Sequence, residues 1–391
     1  MNVTQQGIVA LMKSAVLRQP QPLPEGFELR AAVPLIRQHH IAALIYDGAE
    51  RCGMTRREPT MAKLFQAYCS SLLLSEGQER EIGRIFHAFD ENGIDYLPLK
   101  GCNMKALYPK PEMRTMGDAD ILIRPDQYSR IAPVMKSLGF AYQYESDHEL
   151  VWENEALNVE LHKHLIPSYN RELYAYFGDG WAMAVPGGGS RWDMTPEDTF
   201  VFLFTHFAKH YRDCGIGLRH VLDLWVYLRA NPNLDMNRVL SVMEKLKLRQ
   251  FYGHISRLLA VWFEGAEPDD RTEFISEFIF ASGSWGSMEQ RVVSESVRNM
   301  HRSGTGAGGK LRYFWRLAFP SRESLQEKYP VLRKAPWLLP VIWLVRPVRK
   351  LLFERESLGR QKRVMDAMTR ENLDERHRML KYVGLDQIQG L

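Results

Sequence analysis

Residues 117–123 read Gly117-Asp118-Ala119-Asp120-Ile121-Leu122-Ile123, and this stretch decides how the middle of the chain folds. A glycine turn leads into two acids spaced two apart and then into an aliphatic run, which predicts a strand over 118–123. Side chains two apart on a strand share a face, so Asp118 and Asp120 project together. Two like charges held side by side destabilise a sheet unless something positive lies between them. A hard divalent cation is the natural partner. Mg2+ takes oxygen ligands and uses one or two carboxylates together with substrate phosphates.

The neighbouring segments extend the pattern. Asn92-Gly93 is a helix stop, and the apolar run 94–99 behind it predicts a strand closed by Lys100-Gly101. A short helix is expected over 103–107, a helix from Pro125 to about Leu138, and strands over 140–144, 148–154 and 158–164. Together these make a small mixed α/β core that ends in the loop Gly187-Gly188-Gly189. Glu160 falls on the last of these strands, between Val159 and Leu161, with Asn158 and His162 on its own face. An acid on one strand opposite an Asp-x-Asp pair is how a two-metal site for in-line phosphoryl or nucleotidyl transfer is assembled. Gly101, before a short helix, lets backbone N–H groups approach a phosphate, and the helix N-terminus adds partial positive charge. Lys100 can neutralise a β- or γ-phosphate, Arg114 can offset further phosphate charge, and His162 can support the acids or touch the nucleotide.

The strings Leu99-Lys100-Gly101, Tyr108-Pro109, Arg114, Gly117 through Ile123 and Val159-Glu160-Leu161-His162 resemble the uncharacterised nucleotidyltransferase family of the DNA polymerase β-like superfamily. The superfamily's usual Gly or Ser after the turn glycine is Cys102 here. The resemblance implies Mg2+-dependent transfer of a nucleoside monophosphate from an NTP to an acceptor. It implies Asp118 and Asp120 as metal ligands, Glu160 as the third acid that helps activate the acceptor, and Gly101 at the triphosphate turn. The acceptor is open: a small molecule, a sugar, a lipid-linked intermediate or a protein side chain.

The flanks read as helical. Helices are expected through residues 9–16, over 31–46 and over 60–90. After a Thr195-Pro196 start signal they are expected over 196–212, 218–230, 236–246, 250–263 and 289–300. Residues 303–309 read as a Gly/Ser linker before an apolar and basic segment and a charged C-terminal helix. The resulting division is 1–92 helical, 93–190 nucleotidyltransferase core, 191–302 helical, and 303–391 linker, apolar/basic segment and helix. The 391 residues are 45% hydrophobic and 25% charged, which excludes a disordered or collagen-like chain. Lys plus Arg number 51 against 47 Asp plus Glu, and a net charge of +4 argues against nucleic acid as the partner. Four cysteines without a CxxC pair argue against a zinc ribbon or a disulfide framework and point to a reducing, cytoplasmic setting. No secretory leader is visible, and the longest apolar stretch, 337–345, is broken by Pro340 and falls short of a membrane span.

Four weaker signals compete. Glu160, His162 and His164 share a strand face and could suit zinc, but no fourth ligand stands at a usual spacing. His206 and His210 lie i, i+4 on a helix without the Glu of HExxH. With Arg219 and Asp223 they face either the cleft or solvent. Gly304 through Lys310 imitates a P-loop, yet Leu311 replaces its Ser or Thr and no strand precedes it. Residues 336–353 mix tryptophans, aliphatics and arginines. A helix packed on the protein's own core is the expectation there, with peripheral membrane contact as the alternative. For the whole chain, a non-catalytic nucleotide-binding regulatory or interaction protein is the alternative to the enzyme. Three converging acids weigh against it.

Overall fold

The aliphatic run after Asp120 lies at the centre of a seven-stranded mixed sheet, with helices before and after it in the chain. The strands are β1 (Tyr96–Pro98), β2 (Asp118–Ile123), β3 (Ala141–Glu145), β4 (Glu149–Glu153), β5 (Asn158–His162), β6 (Ala184–Gly188) and β7 (Arg191–Met194). Their order across the sheet is β3-β4-β5-β2-β1-β7-β6. The β2–β5 and β1–β7 pairs are parallel, and the other four are antiparallel. The computed structural model describes the chain apart from residues 169, 285, 287–291, 295, 298–299, 301–305, 326–328, 330, 354 and 388–391. Met1–Tyr211, Gly215–Trp285 and Val383–Gly390 form one unit that contains the sheet; Arg212–Cys214 and Gly286–Tyr382 form a second.

Period-two alternation sorts the two faces of the sheet. Ala119, Ile121 and Ile123 of β2 and Val159 and Leu161 of β5 are buried in one apolar cluster. Ile82, Ile85 and Phe89 of α4 (Pro59–Glu91) and Ile131 and Met135 of α6 (Tyr128–Ser137) cover them. Pro59 at the first helical position starts α4 with its φ already set, and Gly93, at φ +57°, ends it in the left-handed region. The opposite face is left to the even-numbered residues of β2 and β5.

Strand 118–123 and helix 218–230 fall where the sequence places them, the latter as α9 (Leu218–Ala230). Two expectations are corrected, and two helices are added. The single helix over 31–46 is two, α2 (Leu29–Gln38) and α3 (Ala42–Arg51), parted at His40 with φ +52°. The buried His39 ring holds the break: Nδ1 accepts from the Leu218 N–H at 3.2 Å, so Nε2–H donates to the Phe280 carbonyl at 3.1 Å. Burial lowers the His39 pKa to about 4, which keeps the ring neutral for that double role. Of the glycine loop 187–189, Gly187 and Gly188 end strand β6 and Gly189 opens the two-residue turn to β7, where the Ser190 N–H donates to Asp90 at the end of α4 at 2.9 Å. Pro186 and the glycines disguised an edge strand, where both are tolerated. Helices α7 (Arg171–Phe177) and α12 (Asp270–Ser282) are the additions. Here Asp269 caps α12 by accepting from the N–H groups of Arg271 and Thr272.

In the second unit a helix covers Gly306–Ala318, so the expected linker is helical from Gly306 onward; the rest of that linker, and half of the helix expected over 289–300, lie outside the described residues, and the described half is helical. Helix Leu339–Phe353 buries Ile342 against Leu325 and Leu332, but Val341, Leu344 and Val345 point outward. Own-core packing therefore accounts for one side of this helix only. No helix among the described residues is long and apolar enough to cross a membrane.

Glycine permits one close approach in the N-terminal helices. A Cβ on Gly48 of α3 would lie 2.0 Å from the Leu11 carbonyl oxygen of α1 (Val3–Leu17). Gly48→Ala is therefore expected to push the two helices apart and cost about 1–3 kcal/mol, read as a lower urea midpoint at unchanged m-value. An unchanged midpoint would show that the contact yields freely.

Candidate functional site

Parallel pairing of β2 with β5 sets Asp118 opposite Asn158, Asp120 opposite Glu160 and Leu122 opposite His162. Asp118, Asp120, Glu160 and His162 thus share the face turned away from the aliphatic core. At the centre is Asp120, whose Oδ1 receives the Lys100 ammonium at 2.9 Å and the His162 Nε2 at 2.8 Å. Glu160 lies 3.6 Å from the same His162 nitrogen. Burial alone would raise the Asp120 pKa, but Lys100 and His162 overcome it and hold the carboxyl well below the usual range.

Asp118 behaves oppositely. Burial, then the charges of Asp120 and Glu160, push its pKa up to about 7. Two acids on one face therefore carry different charge near neutrality, one fixed and one poised. His162 is raised, since its bonds to Asp120 and Glu160 outweigh burial. Its Nδ1 lies 3.1 Å from Nε2 of His148, which burial and the neighbouring His162 lower to about 2. A protonated His162 thus donates from both nitrogens, and His148 is neutral and accepts through Nε2.

Lys100 reaches this centre from the first residue of a short helix, α5 (Lys100–Met104), at φ +34°, a conformation unusual outside glycine. The sequence reads it as a strand end. Instead β1 stops at Pro98, and the Leu99 N–H donates to the Asp120 carbonyl at 2.9 Å. Gly101 permits tight packing: a Cβ there would lie 2.8 Å from Met116 Sδ and 3.1 Å from Arg114 Nη1. Burial pushes the Cys102 thiol up to about 12, so it is no nucleophile near neutral pH.

Arg114 is held from its other side. Its Nε and Nη2 donate to the two carboxylate oxygens of Asp223 on α9, each at 2.9 Å, and the Tyr108 hydroxyl donates to the same carboxylate at 2.7 Å. Arg219 of α9 donates to the Thr115 carbonyl at 2.7 Å. The segment leading into β2 is thus clamped to α9, and only the Nη1 edge of Arg114 is left toward Gly101.

The weaker signals now separate. β5 ends at His162, and His164 packs edge-on against Tyr174, so the three-residue zinc set does not assemble. Among the described residues two donor groups do converge: Asp120, Glu160 and His162, and His148, Glu149 and His162. His206 and His210 of α8 (Pro196–Asp213) meet Nε2 to Nε2 at 3.0 Å. Burial, then Lys100 and His210, keep the pKa of the half-buried His206 well below its ordinary value. Sequence reasoning missed His148 and Glu149. The only signal for them was antiparallel pairing of β4 with β5, which sets Glu149 opposite His162. The part of the P-loop imitation from Gly306 to Lys310 is helical, and Gly304 and Thr305 lie outside the described residues.

The chain belongs to the uncharacterised nucleotidyltransferase family, whose sequence profile matches residues 25–264. No curated protein matches the sequence. Among solved structures, the antibiotic-resistance factor ANT(2'')-Ia is similar at 14% identity and a TM-score of 0.31, over 48% of this chain and 95% of its own.

The Arg114–Asp223 pair is buried on both sides, with side chains 6% and 2% exposed. Asp223→Ala strands a buried guanidinium and is expected to cost about 3–5 kcal/mol in chemical denaturation. Arg114→Met with Asp223→Leu should recover most of that loss. A single-mutant cost as small as that of a surface pair, about 1 kcal/mol or less, would show that the pair is solvated in solution.

Proposed function

We propose that the protein transfers a nucleoside monophosphate from an NTP to an acceptor and releases pyrophosphate, with Mg2+ as the metal. The observation that carries this reading is the register of β2 on β5, which sets Asp120 opposite Glu160 with Asp118 on the same face. The donors fit a hard divalent cation: carboxylate oxygens predominate, and burial, then the charges of Asp120 and Glu160, raise the Asp118 pKa to about 7. Asp118 and Asp120 would hold the metal, with Glu160 as the third acid. When bound, Mg2+ supplies charge neutralisation at the phosphates and lowers the barrier to in-line displacement.

The protein's own groups have distinct tasks in this reading. The acceptor's nucleophilic atom attacks the α-phosphorus, the bond from that phosphorus to the bridging oxygen breaks, and pyrophosphate leaves. Glu160 takes the acceptor's proton. Gly101, the second residue of α5, carries no side chain that would keep phosphate oxygens from the backbone N–H groups at the start of that helix. Lys100 and the Nη1 edge of Arg114 offset phosphate charge, and His162 orients Asp120. The rival reading, a nucleotide-binding protein without turnover, draws on the Lys100–Asp120 pair, in which a lysine already neutralises the central acid.

Calorimetry with ATP, GTP, CTP and UTP, with and without Mg2+, separates the two. Metal-dependent binding that Asp118→Asn/Asp120→Asn abolishes supports the enzyme and names the base for an acceptor screen. Binding that ignores both metal and mutation supports the rival, and no binding to folded protein overturns both. Lys100→Ala should weaken NTP binding and leave Mg2+ binding intact; unchanged NTP affinity would remove Lys100 from the phosphate site.

A pH dependence follows from Asp118. Its raised pKa leaves it largely protonated below about 7, and Mg2+ takes the ionised form. Affinity for Mg2+ is thus expected to rise with pH up to neutrality, with proton release on binding below it. Calorimetry in buffers of different ionisation enthalpy measures that release, and none in mildly acidic buffer would contradict the raised value.

A further inference from the structure

In the second unit, two amphipathic helices turn an apolar face outward. On Gly306–Ala318, Leu311, Phe314 and Trp315 stand at i, i+3 and i+4, each more than half exposed, while Tyr313 enters the core with Val364 and Met368. On Leu339–Phe353, Leu344 is 75% exposed, as is Trp337 just before the helix. Phe319 joins the two faces: its ring stacks on Trp315 at 4.7 Å and meets Trp343 edge-on at 5.3 Å. The Trp343 indole N–H, donating to the Pro320 carbonyl at 3.0 Å, fixes that junction. Each helix thus exposes aromatic and aliphatic side chains, and Phe319 links the two helices; exposed patches of that kind mark interaction sites.

Charge identifies the occupant. Residues 306–353 hold ten of the chain's 51 Lys and Arg but only two of its 47 Asp and Glu, so the remainder of the chain is net acidic. Basic residues interleaved with Trp and Leu on a short amphipathic helix match an anionic bilayer, where aromatic rings sit at the headgroup level and cations meet lipid phosphates. Neither helix is a candidate span, so the contact lies along the surface. We propose that this face docks on an anionic phospholipid bilayer, with Trp337 and Leu344 entering the headgroup boundary. The proposal is independent of whether the carboxylate site turns over nucleotide.

The test is co-sedimentation of the full-length protein with vesicles of phosphatidylcholine alone, and of phosphatidylcholine and phosphatidylglycerol in equal parts. The protein should pellet with the mixed vesicles, weakly with phosphatidylcholine, and less as salt is raised. Trp337→Ser/Leu344→Ser should lower the partition coefficient about 10-fold or more. Leu311→Ser/Trp315→Ser, on the other helix, should do the same. All four side chains are exposed, and circular dichroism checks that each variant is folded. Folded wild type that ignores the mixed vesicles, or two folded variants that bind like wild type, would overturn the proposal. Capture by poly-glutamate without vesicle binding would also overturn it, in favour of an acidic protein partner.

Discussion

The buried carboxylate of Asp120 is the constraint around which the site is arranged. An ionised acid away from water needs partners on several sides, and each comes from a different part of the chain. Lys100 comes from the turn after β1, His162 from the end of β5, and His148 stands behind His162 from the start of β4. Removing one partner from such a set strands the others, so three strands and a turn share one electrostatic condition. The sheet order satisfies it: β5 lies beside β2 although β3 and β4 intervene in sequence, and that adjacency brings Glu160 and His162 to the acids.

The acidic pair was legible because its signal is local. Two acids two apart ahead of an aliphatic run can hardly be anything but one face of a strand, and 118–123 is found with those limits. Residues whose partners lie far along the chain were not legible. Arg114 carried a charge suited to phosphate, but nothing nearby announced that Asp223, more than a hundred residues on, would take two of its three nitrogens. His148 was invisible because its partner is reached only through strand pairing. The break at His40 was hidden because 31–46 keeps helical periodicity throughout, and the cause is tertiary: the His39 ring donates to the Phe280 carbonyl and accepts from the Leu218 N–H.

The same comparison explains the second unit. Apolar residues at helical spacing are usually read as core, since periodicity gives one face and not its direction. Around residues 306–353 each helix has two apolar sides. Tyr313 and Ile342 face in, whereas Leu311, Trp315 and Leu344 face out. Sequence alone cannot rank those two faces; the packing of Tyr313 against Val364 and Met368 does.

The two ends of the sheet also determine how the protein behaves in a crowded solution. A strand at a sheet edge offers unpaired N–H and C=O groups, on which another chain can pair. Here β3 is fully exposed, but a register shift between Tyr142 and Tyr144 interrupts its ladder. At the far end, β6 carries Pro186, which has no N–H to give, and a second shift between Pro186 and Gly188. Both borders thus refuse an in-register neighbour, and the sheet stops at seven strands instead of polymerising edge to edge.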